Sequence, residues 1–220
     1  AISPDGNHLY TASGRSDAIG VYGRNNTTGR VTFVETQVDN EAGVDGLEGL
    51  SDVALSPNGA HLYAAGTFDD ALAVFSRDAG TGTLSFVEVE FDDTAGVDGL
   101  GRVRAVVVSP DGRHVYTAAD NDDSVAQFTR NTTSGELTFI TAAFNGVDGV
   151  SGINGATDVA ISNDGAHVYV AGTDSNSIAV FNRNDTTGVL TFAGRATNGS
   201  DGIAGLSGPV AVVVSPGGNH

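Results

Sequence analysis

Four short segments of the chain are apolar almost end to end. They are Ala18-Ile19-Gly20-Val21-Tyr22, Ala71-Leu72-Ala73-Val74-Phe75, Ser124-Val125-Ala126-Gln127-Phe128 and Ser177-Ile178-Ala179-Val180-Phe181. A strand with one face in water alternates apolar and polar residues, and a strand covered on both faces does not. The pattern therefore predicts strands inside sheets that pack face to face. No window shows the 3.6-residue apolar period of a helix.

These segments recur every 53 residues, and so does the rest of the pattern. Ser3-Pro4-Asp5-Gly6-Asn7-His8-Leu9-Tyr10 returns from Ser56, Ser109 and Ser162, and a fifth copy starts at Ser215. Ser-Pro-Asp-Gly is a tight turn by its chemistry: proline presets φ, Asp suits the next position and Gly accepts φ > 0. In the repeat 52–104 the pattern predicts strands at Asp52–Ser56, His61–Gly66, Ala71–Arg77 and Thr83–Glu90. A Gly-rich connection from Asp92 to Arg102 follows. Four short strands joined by turns form an antiparallel meander. A strict repeat of such meanders predicts an all-β propeller of four-stranded blades, and nothing in a β-sandwich requires that period. The repeats divide the chain at about 1–51, 52–104, 105–157 and 158–210, with a partial copy at 211–220. Ala1 and His220 both fall inside a repeat, and the places of 1–8 and 213–220 overlap. The expectation is a portion of a larger ring of seven or eight blades, or a ring completed by a second chain.

The stretch Val-Ala-Leu-Ser-Pro-Asn-Gly-Ala-His-Leu-Tyr-Ala-Ala-Gly at 53–66, with Ala-Val-Phe-Ser-Arg-Asp-Ala-Gly-Thr-Gly-Thr-Leu at 73–84, resembles YVTN-type and lactonase-like (6-phosphogluconolactonase-like) β-propeller repeats. The resemblance covers the whole chain. It implies a ring that usually has seven blades. It also admits a sugar-lactone hydrolase among its members, beside surface and secreted proteins with no established reaction.

Composition narrows the partners. There are 27 acidic residues against 10 basic ones, all arginine, for a net charge of −17. That opposes nucleic-acid binding through a basic face and attraction to anionic membranes. No apolar run approaches the roughly 18 residues of a membrane helix. Without cysteine, disulfides and thiolate chemistry are excluded. The acidic, lysine-free chain suits an extracellular, cell-surface or high-salt setting.

Most polar residues recur in every repeat and so read as structure. His8, His61, His114, His167 and His220 share one position. Arg24, Arg77, Arg130 and Arg183 close each third strand, and Phe33, Phe86, Phe139 and Phe192 share another place. The acidic loop at Asp120, Asp122 and Asp123 is the best local cluster for calcium, which takes carboxylate oxygens. No other cofactor is expected. Asn25, Asn26, Asn131, Asn184 and Asn198 fit the N-glycosylation pattern. Arg102, Arg104 and Gln127 break the repeat, and Phe68 and Phe91 are candidates for exposed aromatics. These five are the interaction candidates. No nucleophile elbow and no His-Glu-x-x-His pattern is present. The departures from the repeat look scattered. The reading favoured by the residues is therefore a non-catalytic extracellular or cell-surface scaffold that binds a protein partner or self-associates through its open blade ends. A lactone hydrolase and a calcium-stabilised carbohydrate- or surface-binding module are the alternatives.

Overall fold

The computed structural model describes residues 1–215 and consists of β-strands joined by turns, without a helix among the described residues. Blade one is β1 (His8–Ser13), β2 (Ala18–Arg24) and β3 (Val31–Val38). Blade two is β4 (Leu50–Leu55), β5 (His61–Gly66), β6 (Ala71–Arg77) and β7 (Leu84–Phe91). Blade three is β8 (Val103–Val108), β9 (His114–Ala119), β10 (Ser124–Arg130) and β11 (Leu137–Phe144). Blade four is β12 (Ala156–Ile161), β13 (His167–Gly172), β14 (Ser177–Arg183) and β15 (Leu190–Thr197). Each blade is a separate antiparallel meander. The second and third strands of blade two lie where the pattern predicts. The first begins at Leu50, ahead of Asp52, and the fourth runs Leu84–Phe91, one residue later than predicted. Leu50 and Leu84 are core residues, and their burial extends or shifts each strand to include them.

The apolar third strands are buried as their composition requires: Ala71 to Phe75 have no exposure. One apolar cluster joins blades one and two, one joins two and three, and one joins three and four. The first strands of blades two to four lean on one another, β4 on β8 and β8 on β12, and in blade one the second strand, β1, packs on β4 as β5 packs on β8. Carboxylates tie them: Val106 N–H donates to Asp52 Oδ2 at 3.0 Å, and Val212 N–H to Asp158 Oδ2 at 2.7 Å. All four blades carry a bulge between third and fourth strands at the same place, starting at Val21, Val74, Gln127 and Val180.

The two ends of every blade are built differently. At one end lies the Ser-Pro-Asp-Gly turn, where Gly59 takes φ 68° and donates to Ser56 O at 2.8 Å. The same end holds a seam between blades. Arg77 of blade two donates from Nε to Tyr10 Oη at 2.6 Å and from Nη1 to its own turn at Gly59 O. Its Nη2 reaches His8 Nδ1 at 2.8 Å and Asp5 Oδ2 at 3.1 Å. Tyr10 Oη donates onward to Gly82 O. Gly82 must be glycine, because a Cβ there would sit 2.1 Å from the His8 ring. Arg130 repeats the seam with Tyr63 and His61, and Arg183 with Tyr116, His114 and Asp111. Repetition thus assigns the histidines His8, His61 and His114 to structure; His220 lies outside the described residues.

Candidate active site at the connector end of blade three

At the opposite end, each Gly-rich connector meets the loop between second and third strands of two blades. One residue per loop holds a connector N–H: Asp17 takes Gly49, Asp70 takes Arg102, Asp123 takes Gly155 and Asn176 takes Gly208. All four acceptors have positive φ, which Asp and Asn tolerate better than most side chains. A second set works beside them, with Glu48 N–H on Asp69, Gly101 N–H on Asp122 and Asn154 N–H on Ser175. The acidic loops are therefore spent on shaping the connectors.

Blade three departs from this plan at three places that converge. Arg102 stands where the other connectors have Gly49, Gly155 and Gly208, and it keeps their left-handed backbone at φ 54°. A non-glycine residue held there costs on the order of 1 kcal/mol, and such strain gathers at functional sites. Arg104 stands where Ser51 and Thr157 stand. Asp120 stands where Thr67 and Thr173 stand. In blades two and four those small hydroxyls tie inner strands together: Thr67 Oγ1 donates to Val103 O and Thr173 Oγ1 to Pro209 O. In blade three the hydroxyls are replaced by an ionic triad. Arg104 Nε donates to Asp120 Oδ2 at 2.5 Å, and Arg102 Nε lies 3.1 Å from Asp120 Oδ1. Both arginines spend Nε on the carboxylate. Among the described residues neither has a terminal Nη bonded to another protein group. Their side chains are 47% and 36% exposed, against 17% for Asp120.

The triad lines a recess of about 360 Å³, completed by Asn121, Gly155, Thr157, Thr173 and Asp174. Asp174 comes from blade four and packs against Gly155, and among the described residues its carboxylate has no hydrogen-bond donor. The recess thus pairs a preorganised cationic wall with an uncommitted carboxylate. The cations can bind an anion or a carbonyl oxygen that gains negative charge. The carboxylate can accept a proton from water.

Other sequence candidates fall elsewhere. Asp120, Asp122 and Asp123 do not form a calcium cage, because each points at a different partner: an arginine pair, Gly101 N–H and Gly155 N–H. Two other carboxylate groups come within metal-binding distance, Asp39 with Asp45 and Asp69, and Asp92 with Asp98 and Asp122. Burial, then neighbouring carboxylates, raise the pKa of Asp69 and Asp92. The next junction places Asn145, Ser151 and Ser175 in those positions and still folds the same connector. Gln127 is not an interaction residue: it is 1% exposed. Glu35 and Glu88 accept Leu84 and Leu137 N–H across the first two seams, while Thr141 replaces them at the third. Thr141 is too short for that bond, and Gln127 Oε1 accepts Leu190 N–H instead. Phe68 is 63% exposed at the connector end, in the loop position that Asn121 and Asp174 hold, whereas Phe91 is half-buried at the end of β7. Asn25, Asn131 and Asn184 turn their side-chain oxygens to the N–H groups of their own tight turns. Asn26 joins Arg24 and Asn7, and Asn198 accepts Leu206 N–H.

Comparison with known proteins bears on the reading. The chain is 26% identical over 151 residues to a 6-phosphogluconolactonase of Klebsiella pneumoniae, an alignment covering 69% of this chain and 44% of the relative. A protein from Lactobacillus plantarum superposes with a TM-score of 0.76 at 19% identity, over 96% of this chain and 56% of that one. The periplasmic gluconolactonase of Pseudomonas aeruginosa superposes at 0.72 with 23% identity, over 91% and 53%. At these identities the superpositions establish the fold alone, and the chain spans about half the length of each of these proteins. The naming of the Klebsiella and Pseudomonas proteins as lactonases overturns the expectation of a non-catalytic scaffold. The impression of scattered departures fails too, since Arg102 and Arg104 share one recess with Asp120. Residues 1–151 and 142–203 match the family described as Lactonase, 7-bladed beta-propeller, and the chain belongs to that family.

Proposed function

We propose that the chain contributes the hydrolytic site of a lactonase, at the recess between blades three and four. The observation that carries this is the convergence of the repeat-breaking residues Arg102, Arg104 and Asp120 beside the uncommitted carboxylate of Asp174. Lactone hydrolysis needs a water deprotonated as it attacks, and a place for the negative charge that forms on the carbonyl oxygen. Asp174 takes the proton as the water oxygen bonds to the carbonyl carbon. The arginine Nη groups receive the oxyanion. The ring C–O bond then breaks, and the ring oxygen takes the proton back from Asp174, leaving a hydroxy acid. Asp120 holds the two guanidiniums, which would otherwise repel each other. The substrate class is a sugar δ-lactone, with an anionic substituent suited to the spare cationic donors. A location outside the cytoplasm agrees with the acidic, lysine-free composition and with the periplasmic neighbour.

The test is hydrolysis of glucono-δ-lactone and its 6-phosphate, followed by proton release against the uncatalysed rate. The double variant Arg104→Ser with Asp120→Thr gives blade three the chemistry of blade two. It should lower kcat/KM about 100-fold, the scale of losing one oxyanion donor, while leaving the melting temperature nearly unchanged. Unaltered hydrolysis in that variant would move the site elsewhere.

A further inference from the structure

The seam between blades three and four is filled differently from the two before it. At the first seam Glu35 Oε1 accepts Leu84 N–H at 2.7 Å, and Gln37 Nε2 donates to Leu84 O at 3.2 Å. At the second, Glu88 Oε1 accepts Leu137 N–H at 2.6 Å, and Glu90 stands in the place of Gln37. At the third, Thr141 and Ala143 hold these two places. Their short side chains leave a cavity of about 370 Å³. Its walls belong to two adjoining blades, with β10, β11 and the following connector on one side and β15 on the other. It shares no residue with the Arg102–Arg104–Asp120 recess.

The cavity has a hydrogen-bond donor at its floor. Gln127 is too buried to meet a protein surface, and its Oε1 is committed to Leu190 N–H at 2.9 Å. That bond fixes the orientation of the amide, so Nε2 is turned the other way with two N–H donors. Nε2 has no acceptor among the described residues. Nor is it sealed: among the described residues the only sealed side-chain N or O atom without a partner is Thr117 Oγ1. The opening that Nε2 keeps is the cavity that Gln127 lines. Around it stand Ala143, Phe144, Val147, Val150 and Phe192. The exposed Asp148 is the only charged residue among the described residues of the lining.

These features define the occupant. A buried N–H donor without a partner calls for an acceptor oxygen. The apolar walls call for an apolar body. An anion would meet Asp148 without a counter-charge, and a cation would bring no acceptor to the floor. The volume lies near the lower end of small-molecule sites, about 300–1,000 Å³, which suits a single ring. We propose that this cavity binds a neutral, ring-sized molecule whose carbonyl oxygen accepts a hydrogen bond from Gln127 Nε2.

The test uses cyclohexanone as the probe and ¹⁵N–¹H correlation spectra of the full chain. The side-chain amide signals of Gln127 are assigned by their loss in Gln127→Val. In the wild type these signals, and the backbone signals of Val150 and Leu190, should shift saturably as cyclohexanone is added. Cyclohexylammonium carries the same ring without an acceptor and should leave the Gln127 amide signals in place. The double variant Gln127→Val with Thr141→Glu gives this seam the residues of the second, Val74 and Glu88. It removes the donor and fills the gap, and should weaken binding, read at Val150 and Leu190, at least about tenfold. Ala143→Gln fills the gap as Gln37 does and leaves Gln127 in place. It should weaken binding to a similar extent, and it decides the matter if the double variant does not fold. No saturable shift up to the solubility of cyclohexanone would mean a cavity that holds water only. That result, equal shifts with cyclohexylammonium, or unchanged affinity in the folded variants would each overturn the proposal.

Discussion

The two ends of the blades answer different demands, and blade three shows it. At the turn end, the arginine seam is built three times on the same tyrosine, histidine and glycine carbonyl, with an aspartate added in two of the three. At the connector end, blades two and four use glycine with small hydroxyls, and blade three substitutes two arginines and an aspartate. What holds blades together must recur at every junction, because each junction poses the same packing problem. Chemistry on one substrate needs only one place, so it shows as a local loss of symmetry. The teaching is that a singular residue matters less than several singular residues that meet.

The largest way to break this comparison is at the turn end. Arg130 is buried and held by Tyr63, His61 and Gly112 O. Arg130→Ala should cost about 3 kcal/mol of unfolding free energy, because it strands a buried tyrosine and histidine and opens a cavity. Denaturant unfolding measures that. Lactone hydrolysis by the folded fraction should be unchanged.

A smaller and opposite effect is expected at the connector end. Arg102→Gly restores the residue that the other connectors use at this left-handed position. It should raise stability by about 1 kcal/mol while lowering hydrolysis about tenfold, a pairing that a structural role for Arg102 does not produce. Stability and kcat/KM on the same preparation decide it.

The smallest effect is a pH slope confined to the seams. Burial, and then Arg130, lower the pKa of His61; burial, and then Arg183, lower that of His114. A histidine depressed in the fold takes its proton first in the unfolded chain, so its stability is present near pH 7 and is lost as pH falls below the ordinary value of about 6.5. Carboxylates with raised pKa, such as Asp158, act oppositely at lower pH. Comparing the wild type with His61→Gln cancels them, and the wild type's stability relative to the variant should decline from pH 7 to pH 5.5. A flat difference would remove His61 from the account.

Much of the fold was legible because its cause is local and repeated. The Ser-Pro-Asp-Gly turns, the apolar third strands and the period need no knowledge of distant contacts. The site was legible only in pieces. Arg102 and Arg104 stand out against their repeat columns, but Asp120 reads as one more acidic loop residue beside Asp122 and Asp123. Recognising it requires seeing that its column is otherwise uncharged, with Gly14, Thr67 and Thr173, and that this column faces the connector arginines across the end of the blade. Gln127 misleads for the converse reason. Its departure repairs a hydrogen bond that Thr141 cannot make, and that bond crosses to another blade. Asp174 gives no signal in sequence, since it is defined by what it does not bond.

The seams also impose an order in time. Each arginine lies 67 residues after the tyrosine it engages, and each tyrosine reaches a glycine carbonyl 72 residues ahead. During synthesis from the N-terminus, a blade's turn, histidine and tyrosine are therefore in place well before the strand that seals them leaves the ribosome. Each new blade acts as the cap of the one before it, so a pause in translation would leave the newest blade's seam unsealed while the earlier seams are already closed.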